Sequence, residues 1–250
     1  MPNIYVINLP IPFDFHRCQF ESDCPNRNGK CCERTCVRWD TLPAQPRVTQ
    51  LIDGSFKQLS AGLMPIEFVG SVSLVQSGGL NVLIDTGGVL EEGLLLEVLR
   101  NKAGLHPQDR LHRHLSGLYG SQVAYTDLFP DAPQIFDNLE IVEAYNVNAI
   151  GHGESPALIK NDPNLEIIHT PGYTDLDTTL LVHSVPNMGT VALTGDLFFF
   201  SQDYNFLSLF GNQEYMDSRQ KVACMADYIL TGHGTLFSVD DAYRTTAGIN

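Results

Sequence analysis

Basic residues are scarce. The 250-residue chain has 15 Lys and Arg against 29 Asp and Glu, a net charge of −14. That imbalance opposes non-specific binding to nucleic acid or to anionic membranes. No apolar run approaches the roughly 18–20 residues that cross a bilayer. The chain holds no Asn-x-Ser/Thr sequon, no Cys-x2-Cys arm, no internal repeat and no low-complexity stretch. Met1 to Pro12 has no basic start, no long apolar stretch and no small-residue cleavage site, so a secretory leader is not expected there. With 43% apolar and 18% charged residues, the bulk is globular rather than disordered. The length suits one domain of about 200 residues plus a small appendage.

Cysteine is almost absent outside one short stretch. Of six cysteines, five lie at Cys18, Cys24, Cys31, Cys32 and Cys36, and the sixth is Cys224. Charge divides along the same line. Residues 1–47 carry six Lys/Arg against five Asp/Glu, whereas 48–250 carry nine against twenty-four, a net −15. Pro43 and Pro46 with their polar neighbours read as a linker. The expected organisation is therefore a Cys-rich segment at 1–45 and a main domain at 46–250.

Five cysteines so close together are too dense for a reduced segment unless they hold metal, and zinc usually takes paired Cys-x2-Cys arms. Disulfides are the better reading, since small cores need such staples. The string from Cys18 to Cys36 resembles the second half of a WAP (four-disulfide core) domain, with its Asp-Cys before a Lys-Cys-Cys. The family has eight cysteines, and the first two and the last are missing here. Of its pairings, only Cys18 with Cys31 keeps both partners.

In the main domain, apolar runs alternate with turn signals in a mixed α and β pattern. Strands are expected over 48–52, 71–76 and 80–85, the last two joined by Ser77-Gly78-Gly79. Leu90, Leu94, Leu95, Val98 and Leu99 form one helical stripe, with Gly104 placed as a C-terminal cap. Further strands are expected over 165–169, 178–183, 190–194 and 228–230, and a weaker helix over 212–226. Strands in two groups with helices between them predict a layered α/β sandwich.

Four motifs close these strands: Leu83-Ile-Asp85-Thr-Gly87-Gly88, His169-Thr-Pro-Gly-Tyr173, Thr194-Gly-Asp196 and Thr231-Gly-His233-Gly. Their order resembles the metallo-β-lactamase superfamily, over about residues 46–240. The resemblance implies an αββα sandwich with a dinuclear zinc site along one edge. Asp85-Thr-Gly-Gly88, Leu128-Phe-Pro130 and the closing Gly-His-Gly before Phe237 are most similar to one branch, described as a ribonuclease that processes histone pre-mRNA. That resemblance also implies a homodimer and a cytosolic or nuclear location; a disulfide-bonded head implies an extracellular one.

A hydrolytic zinc pair needs imidazole and carboxylate ligands and an open position for hydroxide. In the family a His-x-His-x-Asp-His loop supplies four ligands, and a His, an Asp and a His in the last three motifs supply the rest. Asp196 and His233 match two of them. Tyr173 stands where the third would be a His. With Pro107-Gln-Asp109 and Leu128-Phe-Pro130 as anchors, the loop's ligand positions fall on Gly117, Tyr119, Ser121 and Gln122, none a good zinc ligand. The general base associated with the loop's Asp is lost with it. His112 and His114 are an alternative pair, since i and i+2 on a strand share a face. They lie five residues upstream of the matching position.

Asp85 and Asp177 read as carboxylates that brace loop backbone. His152 reads as solvated loop, Cys224 as a buried small hydrophobe, and the run Leu197 to Phe200 as core or pocket lining. Glu91 and Glu92 suit a helix N-terminus. The leading reading is a superfamily member that retains the fold but is catalytically degenerate, with zinc reduced or absent and the edge kept for binding. The second is a weak mononuclear zinc hydrolase using Asp196 and His233, with His112, His114 or Tyr173. The third is a secreted, protease-inhibitor-like binding protein working through the Cys-rich head. Nothing in the sequence names the substrate or partner.

Overall fold

The computed structural model describes residues 30–32, 35–37, 45–58, 66–88, 92–109, 111–116, 123–137, 139–143, 146–149, 156–157, 159–201, 203 and 213–246. The chain divides into two units, Met1–Asp40 and Thr41–Asn250. In the first, β1 (Lys30–Cys32) and β2 (Thr35–Val37) pair antiparallel, with Cys31 opposite Cys36. Cys18 and Cys24 lie outside the described residues.

The second unit begins with β3 (Arg47–Ile52), β4 (Ser55–Gln58), β5 (Ile66–Val69), β6 (Val72–Ser77) and β7 (Leu80–Ile84). Helix α1 (Glu92–Val98) follows, then β8 (His112–Leu115), β9 (Gln134–Phe136), β10 (Leu139–Glu143) and β11 (Asn146–Ala149). The remainder holds β12 (Leu165–His169), β13 (Thr178–Val185), β14 (Gly189–Leu193), α2 (Gln213–Met225), β15 (Tyr228–Leu230), β16 (Phe237–Ser238) and α3 (Asp241–Thr246). Seven strands form one sheet in the order β11-β10-β9-β8-β7-β6-β3, and five form another in the order β12-β13-β14-β15-β16. β4 and β5 make a separate hairpin.

Side-chain alternation builds the layers. Val75, Val82 and Ile84 of the first sheet meet Leu165, Leu180, Val182, Val191 and Leu193 of the second in the central core. The intervening Leu74 and Leu83 face the other way and pack on Leu95 and Leu99 of the α1 region. Leu181, Ala192 and Ile229 likewise face Tyr215, Val222 and Ala223 of α2 and Tyr243 of α3. Both faces of each sheet are thus covered, and such strands read as near-continuous apolar runs. The result is helix on sheet on sheet on helix, the αββα sandwich that the resemblance implies. A shift in register on β13, with Ser184 at φ 57°, lets Val182 and Val185 both reach the central core although they are three residues apart.

Turn chemistry sets the boundaries. Gly78 (φ 56°) and Gly79 (φ 83°) make the two-residue turn between Ser77 and Leu80, a geometry needing positive φ at both positions. Helix α1 runs on into a wider π turn at Leu99–Ala103, and Gly104 ends it in the left-handed region, its N–H donating to the Arg100 and Leu99 carbonyls. On the apolar stripe Leu95 and Leu99 are fully buried but Leu94 is exposed, so the stripe is narrower than the periodicity suggests. Leu90 lies outside the described residues.

Leu180 has no exposed surface and sits in the central core. Leu180→Ala is expected to cost about 2–5 kcal/mol through lost burial and the cavity left behind. Urea unfolding checks this; a loss within about 0.5 kcal/mol, the scale of a surface change, would contradict the assigned layer.

Candidate functional site

The four sequence motifs converge where strands of the two sheets end. β7 and β8 run parallel, so Asp85 after one lies beside Ser116 after the other. The Asp85 carboxylate accepts the Ser116 N–H at 2.9 Å and its hydroxyl at 2.8 Å. Asp85 has φ 58°, a region that Asp tolerates better than most residues. Just beyond, Thr86 Oγ1 accepts the Tyr125 N–H and the Gly87 carbonyl accepts that of Ala124. Asp85, Thr86 and Gly87 therefore hold the chain on both sides of residues 117–122. Gly117, Tyr119, Ser121 and Gln122 themselves lie outside the described residues.

The third motif turns back through 170–177. The Asp177 carboxylate accepts the Thr174 N–H at 3.0 Å and its hydroxyl at 2.6 Å, closing the turn. Tyr173 is 42% exposed, with its ring set edge-on to Phe199 at 5.9 Å. Thr178 then donates its N–H to the Ser116 carbonyl, joining the two sheets at this edge.

Asp196 lies on the 3-10 turn Gly195–Leu197 after β14, and His233 follows β15, the parallel neighbour of β14. His233 Nε2 is 3.2 Å from Asp196 Oδ1, with both side chains buried. The other ring nitrogen, Nδ1, is 3.0 Å from the Val69 carbonyl. Phe199 stacks on the imidazole at 5.7 Å and 15°. The close approach depends on Gly232, where a Cβ would run into Asp196 Oδ1 and the Gly195 backbone.

Electrostatics follow from this burial. For His233, desolvation works against the charged form. The Asp196 hydrogen bond and charge, the Val69 carbonyl and the Asp85 charge outweigh it and hold the pKa above the ordinary imidazole value. For Asp85, burial raises the pKa to about 7; the Ser116 bonds pull it down, Asp196 pushes it up, and His233 pulls it down.

His112 and His114 share a face of β8, as strand geometry requires. Their cross-strand neighbours are Val82 for His112 and Ile84 and Ile135 for His114, all members of the central core. Both rings thus project into the sandwich interior, not onto the edge that carries Asp196 and His233. His114 Nε2 is 2.9 Å from Thr178 Oγ1 on the facing sheet. Burial alone lowers its pKa to about 4.

The donor set of the described residues does not fit a zinc pair. Among the described residues no three His, Cys, Asp or Glu side chains gather as a metal would require. Asp196 and His233 engage each other, and Gly117, Tyr119, Ser121 and Gln122 carry neither imidazole nor carboxylate. Elsewhere, Leu197 and Phe198 are core residues, and Glu92 opens α1. Cys224 is half-buried on α2, less covered than the buried small hydrophobe expected. His152 and Glu91 lie outside the described residues.

Sequence reasoning missed Ser116, Asp203 and Arg219, and took in Phe199 only as part of the core or pocket-lining run Leu197 to Phe200. Arg219 and Asp203 form a buried ion pair, Nη2 to Oδ1 at 2.7 Å. The available signal was a charge on the buried stripe of α2, among Tyr215, Ser218 and Val222; a buried charge needs a partner.

No family model matches the chain. A Xenopus laevis protein, metallo-beta-lactamase domain-containing protein 1, is 31% identical over 208 residues, covering 79% of this chain and 84% of the frog protein. An uncharacterized Caenorhabditis elegans protein is 26% identical over 191 residues, 73% of this chain, which spans 52% of that longer relative. Among solved structures, a putative metallo-beta-lactamase from Thermotoga maritima matches with a TM-score of 0.60 at 18% identity. It covers 78% of this chain and 99% of the bacterial one.

Because His114 stays neutral in the fold down to about pH 4 while the unfolded chain takes up a proton near 6.5, stability falls as pH drops through that window. The full effect is roughly 3 kcal/mol. Asp85, with its raised pKa, works in the opposite sense over an overlapping range, so the measurement is a difference. His114→Asn is expected to flatten the acid limb of the stability profile in urea titrations from pH 7 to 4. Superimposable profiles for the two proteins would rule this out.

Proposed function

The chain belongs to the metallo-β-lactamase domain-containing protein 1 family, and on that footing we propose that it is a catalytically degenerate member whose former metal edge serves binding. Hydrolysis in this fold needs a metal that lowers the pKa of bound water from 15.7 to about 7. Five of the seven positions that supply ligands in the family carry other residues here. The carrying observation is the Asp196–His233 pair at 3.2 Å, with Val69 taking the second ring nitrogen. A histidine with both nitrogens engaged and its side chain 2% exposed holds the edge together and activates no water.

The exposed Tyr173 and Leu176, on the turn braced by Asp177, form the outward side of the proposed binding edge. The −15 charge of residues 48–250 weighs against RNA as the ligand. The boundary at 45/46 and a partial WAP-like, disulfide-bonded head belong to the same proposal.

Elemental analysis of the purified full chain tests the reading. Well below one zinc per chain, with neither esterase nor nuclease activity, is the expected outcome. Near two zinc ions per chain, with an activity abolished by His233→Ala, would overturn it. One zinc per chain with the same loss would favour a mononuclear hydrolase instead.

A further inference from the structure

We propose that Arg219 and Asp203 are positioning residues for the retained edge: their buried pair pins Leu197–Phe199, and that segment keeps Asp196 and His233 shut against each other. The inference rests on the reading above, that the edge is closed without metal.

The path is continuous. Arg219 Nη1 donates to the Leu197 carbonyl at 2.6 Å and to Asp203 Oδ2 at 3.0 Å, and Nη2 donates to Asp203 Oδ1 at 2.7 Å. The guanidinium lies 3.9 Å from the centre of the Phe198 ring. Asp203 Oδ2 also accepts the Phe199 N–H at 2.8 Å. On its other side the segment receives the Gly232 N–H at the Phe198 carbonyl (3.0 Å) and the His233 N–H at the Phe199 carbonyl (2.9 Å). Phe199 then covers the His233 ring. One helix residue thus reaches His233 through a single short segment.

Packing alone does not explain an arginine here. Both partners are almost wholly buried, and burying an ion pair is frequently no more stabilising than apolar residues of similar volume. An apolar side chain would hold α2 on its sheet equally well. Only a planar donor fork fixes a carbonyl, a carboxylate and a ring in one orientation.

Diethyl pyrocarbonate labelling of the full chain, read by mass spectrometry, measures access to His233. His169, whose side chain is 56% exposed, is the internal control. Wild-type His233 is expected to react about tenfold more slowly than His169, as a residue reached only by local opening should. Arg219→Lys, and the charge-free double variant Arg219→Met with Asp203→Leu, are expected to speed His233 labelling roughly tenfold and leave His169 unchanged. Unchanged protection of His233 in either folded variant would overturn the proposal.

Hydrogen exchange on the wild-type chain supplies the test if a variant does not fold. The Phe199 and His233 amides should exchange with matching protection, as members of one opening unit. Exchange at His233 about tenfold faster than at Phe199 would sink the idea. Zinc content, measured on the same samples, reports separately on the functional reading, so either failure is identifiable.

Discussion

A buried carboxylate and a buried imidazole meeting at 3.2 Å organise this edge of the sandwich. Asp196 belongs to the end of β14 and His233 to the end of β15, and neither could be buried as an ion alone. Together they satisfy each other, and the Val69 carbonyl takes the remaining ring nitrogen. Three separate stretches of chain are tied at one point. Gly232 permits the approach, and Phe199 seals it from water.

The surrounding charges obey the same constraint in different ways. Asp85 is pushed by burial to a pKa of about 7, so it sits beside the pair partly as a neutral acid rather than a second full charge. Its bonds to Ser116 still hold the β7 and β8 ends together. Arg219 and Asp203 neutralise each other next door. His114, with only a threonine hydroxyl to face, stays uncharged. Asp85, Arg219, Asp203 and His114 are thus each paired, bonded or neutral, as a low-dielectric interior demands.

Much of the fold was legible because periodicity reports burial directly. The strands at Leu165–His169 and Tyr228–Leu230 fall where the apolar runs place them, and Gly104 caps the first helix as its position suggests. The β4–β5 hairpin and the β9–β11 strands were not legible. Three- to five-residue elements give too little pattern, and β9 contributes only one fully buried residue, Ile135. Leu94 was misleading because it sits about 100° round the helix from Leu95 and falls outside the narrow face that α1 buries.

The site was legible in its motifs and not in its couplings. Asp85, Asp196 and His233 could be singled out because each follows a strand in a recognisable string, and Asp177 because it directly precedes one. Their partners could not: Val69 and Arg219 lie 164 and 23 residues from Asp196's partner His233 and from Asp196 itself, and only the folded chain joins them. The strand period of two places His112 and His114 on one face but leaves open which face is the interior.

The most direct test of a metal-free, paired edge is the ring nitrogens of His233 followed by 15N NMR as zinc is added to the full chain. The account predicts signals of a hydrogen-bonded imidazole that stay in place with equimolar zinc. A shift of Nε2 to a zinc-bound position, saturating at one or two zinc ions per chain, would contradict it.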